Sequence, residues 1–184
     1  MPAYFDSKSE SRFGPTDVVG GGWNPDEQHI APAIGLIAHA VETDRDRRRG
    51  DDQLRVIPLS CDILGVLPLE PVDLAVTVLR PGRTIALVEA RLDHAGRTAV
   101  IARAWLSRSC GTEQYAGSAL TQIASPDPVW DAVTLWPDGF VASLDVRRMA
   151  TGPGRGAYWV RTDLDQTGPF GAVAQTLTVR PRTA

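Results

Sequence analysis

Between residues 54 and 106 the chain repeats one device, an apolar run closed by a short turn. Val72, Leu74, Val76 and Val78 alternate with Asp73, Ala75 and Thr77, the period of two that turns one face of a strand to a core and the other away from it. Strand-like runs cover residues 54–64, 72–79, 84–92 and 99–106. The turns Arg80-Pro81-Gly82-Arg83 and His94-Ala95-Gly96-Arg97 are too short to join anything but antiparallel neighbours. The last three runs therefore read as a meander.

One helix accompanies these strands. Ile30, Ile34, Ile37, Ala38 and Val41 recur at intervals of three and four, which puts them on one helical face. Pro32 is tolerated in the first turn, and Arg45, Arg47, Arg48 and Arg49 suit the negative end of the helix dipole. Ahead of the helix, residues 1–19 suggest one or two short strands with Gly14-Pro15 as a turn, and Gly20-Gly21-Gly22 opens a loop. Residues 111–128, poor in apolar side chains and containing Pro126-Asp127-Pro128, read as a surface linker. Beyond it, 140–149 and 158–164 read as strands, 173–179 as a weaker run, and no second apolar helix appears. The expected organisation is an α+β domain over 1–110, a linker over 111–128 and a strand-only segment over 129–184. In that domain an antiparallel sheet wraps around one central helix.

A chain of 184 residues with 43% hydrophobic content can bury one good core and part of a second. No apolar run approaches the roughly 20 residues that span a bilayer. The start lacks a basic segment followed by an apolar one, so a cytoplasmic location is expected. A net charge of −3 with scattered arginines offers nothing to a phosphate backbone, and nucleic acid is not an expected partner. Cys61 and Cys110 are too few for a disulfide framework or a zinc site, and both read as small packed side chains. No metal or cofactor is expected. The chain has no Gly-x-Ser-x-Gly elbow, no Gly-Lys-Ser/Thr after Gly22 and no glycine fingerprint between a strand and a helix. A serine triad, a P-loop and a dinucleotide site are thereby set aside.

Several motifs carry a family likeness. Gly21-Gly22-Trp23 and Gln28-His29 precede the helix, Asp62-Ile63-Leu64-Gly65 and Arg80-Pro81-Gly82-Arg83 punctuate the strands, and Ala104-Trp105 closes them. After the linker come Gly154 and Trp159-Val160-Arg161. Over about residues 4–165 this resembles the acyl-CoA thioesterase II-like, double-hotdog family. The resemblance implies a hotdog fold followed by an incomplete second hotdog. It also implies hydrolysis or binding of acyl-CoA or another acyl thioester, by water attack on the carbonyl; a homodimer or higher homo-oligomer is expected from the open sheet edge of a lone hotdog. In that family a helix after the Trp-Val-Arg strand bears an Asp that holds the attacking water with a Gln and a Thr. No position here matches that Asp, so the set is not carried over. The alternative is a shortened, non-catalytic hotdog that binds an acyl group or partners a complete thioesterase.

Thioester hydrolysis needs a positioned water or base and a donor facing the developing oxyanion, and a helix N-terminus offers free N–H groups. The segment from Trp23 to His29 lies at such a terminus. Asp26 or Glu27 can act as base, Gln28 can orient water, and His29 can do either. Gly22, Trp23 and Asn24 would contact substrate. In the competing reading Asn24 and Asp26 cap the helix and His29 packs at the domain rim. Arg80 and Arg83 either meet coenzyme A phosphates or stabilise their turn. His39 and His94 read as solvent-facing. A lone hotdog leaves an open sheet edge, where Trp130, Trp136, Phe140 and Trp159 would supply dimer contacts.

Overall fold

The structure, a computed structural model, describes residues 3–50, 54–117, 139–149 and 157–167. The meander forms as its turns demand: β4 (Val72–Arg80), β5 (Ile85–His94) and β6 (Arg97–Arg108) pair antiparallel, and β3 (Leu54–Ile63) joins the far side of β6. A leading hairpin of β1 (Ala3–Ser7) and β2 (Arg12–Pro15) extends the sheet past β4. A short strand near the end of the described chain, β9 (Asp165–Thr167), pairs parallel with β1, giving the order β3-β6-β5-β4-β2-β1-β9.

The sheet curls around α1 (Ile30–Arg49), and the sequence explains the close fit. Ala86, Val88, Ala90 and Leu92 of β5 are buried in strict alternation, and Ala102 and Ala104 of β6 are buried beside them. Short alanine side chains on the central strands let the helix lie close to the sheet. Leu36, Ile37 and Val41 fill that space. The buried face is rotated from the expected stripe: Leu36 and Ala33 are fully buried, whereas Ile34 and Ala38 are only half-buried. A curled sheet touches more of a helix than one stripe, so periodicity alone misplaces its centre. His39 is half-buried rather than solvent-facing, and His94 is bound to Glu70 at 2.8 Å. Buried Arg45 donates to the Leu54 carbonyl at 3.2 Å and pairs with Asp46 at 2.7 Å. The helix stops at Gly50, whose φ of 61° suits glycine and whose N–H donates to the Asp46 carbonyl.

Two local expectations are corrected. The leading turn is made by residues 8–11, where Lys8 and Ser9 N–H donate to the Arg12 carbonyl and Ser9 Oγ accepts from Arg12 N–H; Gly14 and Pro15 lie within β2. The stretch expected as a strand over 140–149 begins as a short helix, α2 (Gly139–Ala142), followed by β7 (Asp145–Met149). Phe140 N–H donates to the Gly20 carbonyl at 3.0 Å, which ties the helix to the loop before α1. β7 pairs with β8 (Ala157–Arg161) as a separate two-stranded sheet. The run over 173–179 and the side chains of Trp130 and Trp136 lie outside the described residues. Among the described residues no helix is long and apolar enough to cross a membrane.

One phenol fastens residues 139–149 and 157–167 to β1. Tyr4 is fully buried on β1, and its hydroxyl is hydrogen-bonded to Ser143 Oγ at 2.9 Å and to Thr162 Oγ1 at 2.7 Å. Tyr4→Phe is expected to cost about 1 kcal/mol in chemical denaturation and to speed amide exchange across residues 139–149 and 157–167. Unchanged exchange there would show that the hydroxyl does not hold the segment.

Candidate functional site

The loop before α1 is held by backbone bonds on both sides. Gly21 N–H donates to the Glu27 carbonyl at 2.7 Å, His29 N–H to the Val19 carbonyl at 2.7 Å, and Gln28 N–H to the Leu67 carbonyl at 2.7 Å. The Leu69 N–H closes on the Asp26 carbonyl at 3.1 Å. The loop and the turn after β3 thus enclose a pocket of about 160 Å³ at the start of α1. Its polar wall is Asn24, Glu27, Gln28 and His29, and its apolar wall is Ile30, Ile63, Val66 and Leu67.

Each polar wall residue has a fixed orientation. Asn24 Nδ2 donates to Glu27 Oε1 at 2.8 Å, while Asn24 Oδ1 accepts from Asp26 N–H at 3.1 Å. These bonds hold the Glu27 carboxylate at the pocket and leave Asp26 exposed, with its side chain outside the lining. Gln28 is buried, and its Nε2 donates to the carbonyls of Pro68 at 2.7 Å and Glu70 at 3.3 Å. Two carbonyl acceptors settle which end of the amide is nitrogen. Gln28 Oε1 is therefore a buried acceptor, and it has no partner among the described residues.

His29 is itself the cap of α1: its Nδ1 accepts the Ala31 N–H at 3.1 Å. Neither Asn24 nor Asp26 takes that role. Burial pushes the His29 imidazole below its usual 6.5, so the ring is neutral at pH 7. Its face stacks on Phe140, with ring centroids 4.5 Å apart and planes 28° apart.

The remaining expected residues fall at different distances from this pocket. Trp23 lines its mouth and is 88% exposed, and Gly22 sits just outside the lining that Gly21 contributes. Arg80 and Arg83 are exposed at the opposite end of α1: Arg49 Nη1 donates to the Gly82 carbonyl at 2.6 Å, and Arg80 Nη1 donates to the Ile85 carbonyl at 3.2 Å. A helix of this length separates them from His29 by about 30 Å. Cys61 is half-buried, and burial followed by the Asp62 charge raises its thiol, which disfavours a reactive thiolate; Cys110 is exposed rather than packed. Among the described residues no group of three His, Cys, Asp or Glu side chains could hold a metal ion. Sequence reasoning missed Gly21, the wall over residues 63–67 and Phe140. Ile63 and Gly65 stood within a motif already singled out, whereas nothing near Phe140 in the sequence points to His29.

A second, larger cavity of about 580 Å³ lies between the β1–β2 hairpin, α1 and β4, with Phe13, Leu74 and Val76 on one side and His39, Glu10 and Arg47 on the other. Glu10 and Arg47 pair at 2.9 Å. None of the expected site residues lines it.

Residues 19–107 match the family model of the acyl-CoA thioesterase N-terminal domain, and the fold of this stretch is the hotdog fold. No curated protein sequence matches the chain. Three solved structures share its fold. A hot-dog-fold protein from Alicyclobacillus acidocaldarius superposes with a TM-score of 0.63 at 13% identity, over 85% of this chain and 60% of its own. A thioesterase-type protein from Novosphingobium aromaticivorans gives 0.55 at 22% identity, over 86% and 64%. A tesB protein from Mycobacterium avium subspecies paratuberculosis gives 0.53 at 15% identity, over 86% and 58%. The chain therefore spans less than two thirds of the length of these proteins, and at such identities the likeness is one of fold.

The depressed His29 imidazole has a consequence for stability. The unfolded chain takes up its proton first as pH falls, so the contribution of His29 is complete above the usual 6.5 and is lost as pH drops below it towards the folded value. Between about pH 7.5 and about pH 5.5, the wild type should lose more unfolding free energy than His29→Gln. Equal losses by urea denaturation would contradict a buried neutral imidazole.

Proposed function

We propose that this hotdog domain binds an acyl thioester at the start of α1 and hydrolyses it by water attack on the thioester carbonyl. The supporting observation is the pocket itself, which sets a carboxylate, an unpaired amide oxygen and an imidazole opposite an apolar wall. Gln28 Oε1 accepts a hydrogen bond from the attacking water, and Glu27, oriented by Asn24, takes the proton in place of the exposed Asp26. Water oxygen bonds to the carbonyl carbon, the carbon–sulfur bond breaks as the tetrahedral intermediate collapses, and the proton held by Glu27 passes to the departing thiolate. The acyl chain lies against Ile63, Val66 and Leu67.

Coenzyme A is the thiol carrier that the family match favours, and the double-hotdog type is the subfamily. In this reading residues 1–110 are the first hotdog, 111–128 the linker and 129–184 the opening of a second one. Trp159-Val160-Arg161 falls in β8, where a second sheet would start. Among the described residues β3 has β6 as its sole strand partner, and Ile57 and Ile63 on it are exposed. That edge supports a homodimer. The distance from His29 means that Arg80 and Arg83 can contact the same bound coenzyme A only from a second copy.

Release of free coenzyme A from a panel of short to long acyl-CoA substrates tests this reading. Turnover well above the buffer rate is expected, with a dimer in sedimentation at micromolar concentration and a loss of roughly 100-fold or more in His29→Ala. Absence of turnover across the panel would sink hydrolysis and favour the acyl-binding or partner-subunit alternative. A monomer would remove the β3 edge as an interface.

A further inference from the structure

His29 is fixed from two directions. Its Nδ1 accepts the Ala31 N–H, so in the neutral ring the proton resides on Nε2, on the far side of the imidazole. The ring face is covered by Phe140, which comes from the segment after the linker. Three contacts place Phe140. Its N–H donates to the Gly20 carbonyl at 3.0 Å. Gly139 has a φ of 49° and lies so close to Gly20 that a Cβ would run into the Gly20 backbone. The Phe140 ring tilts onto Tyr4 with centroids 5.6 Å apart, and Tyr4 is the residue that holds Ser143 and Thr162.

We propose that His29 acts as a hydrogen-bond donor through Nε2–H and not as a proton acceptor, and that Phe140 is the positioning residue that keeps the ring in this tautomer and orientation. The acceptor, a thioester carbonyl oxygen, rests on the function proposed above; the tautomer and the stack do not. A donor with its other nitrogen occupied by the helix gains strength as negative charge develops on that oxygen, and no reorganisation is needed. A general base would need the lone pair of Nε2, which this tautomer does not offer. The charged groups on the surrounding elements are Glu27 and Asp26 of the same loop and Asp17 of the preceding turn; α2 and residues 63–67 carry none. Burial is what lowers the imidazole. The post-linker segment is then part of the site, through a residue that touches His29 without facing the substrate.

Nitrogen-15 NMR of the full chain reads the tautomer and titration of His29 directly. The wild type should show the Nε2–H form and a midpoint below 6.5. Phe140→Leu, which keeps apolar bulk, should mix the tautomers and move the midpoint up towards about 6.5, and Phe140→Tyr should restore both. With an acyl-CoA substrate, Phe140→Leu should lower kcat more than it changes KM. An Nδ1–H form in the wild type, or a tautomer and midpoint indifferent to Phe140→Leu, would overturn the proposal even if that variant were poorly folded, because the wild-type spectrum alone decides the tautomer. If the tautomer and its Phe140 dependence hold while no acyl thioester is cleaved, the positioning role stands and the thioester reading falls.

Discussion

Burying one helix in the curl of a single sheet is the constraint from which the rest of this structure follows. A helix so enclosed has its middle sealed by Leu36, Ile37 and Val41, and its backbone groups are exposed to chemistry only at the ends. The C-terminal end is closed by Gly50, Arg49 and the turn over residues 80–83. The N-terminal end cannot be closed by the sheet, because β3 and β4 both diverge there into the turn over residues 64–71. The loop over residues 20–29 fills that gap, and its stitching to Val19 and Leu67 leaves a small pocket rather than packed core. The position of the site is thus a consequence of how the sheet ends.

The same geometry accounts for residues 139–149 and 157–167. β1 would be a second open edge, and β9 covers it. Burying the Tyr4 hydroxyl without partners would cost about 1–3 kcal/mol, and Ser143 and Thr162 provide those partners. Once this segment is anchored on β1, α2 lies against Gly20 and Phe140 reaches His29. An edge that had to be covered and a phenol that had to be paired bring an aromatic ring against His29.

Much of the fold between residues 30 and 108 was legible because its signals are local. Alternation in β4 and the two glycine turns define the meander, and helical spacing marks α1 from Ile30. The leading turn was misplaced because Gly14-Pro15 carries stronger turn composition than Lys8–Ser9–Glu10–Ser11, yet Pro15 sits acceptably at a strand end, paired with Phe5. At the candidate site, residue types singled out the loop over residues 22–29, but not which of Asp26 and Glu27 faces the pocket. It turns on one side chain, Asn24, which bonds Glu27 and leaves its neighbour exposed. As sequence, Arg80 and Arg83 read as coenzyme A contacts or turn stabilisers without a place relative to the helix start; β4 runs alongside α1 and carries them to its other end. Phe140 was illegible because its role depends on tertiary contacts with Gly20 and Tyr4.

The central claim is that an acyl thioester binds at the start of α1 with its carbonyl facing His29. A crystal structure with an acyl-CoA analogue in which a methylene separates sulfur from the carbonyl tests this most directly, since the analogue keeps the oxygen and cannot be hydrolysed. The account predicts that oxygen within hydrogen-bond distance of His29 Nε2, with the acyl group against Ile63 and Val66. An analogue bound in the cavity between the β1–β2 hairpin and α1, or with its carbonyl turned away from residues 21–29, would contradict it.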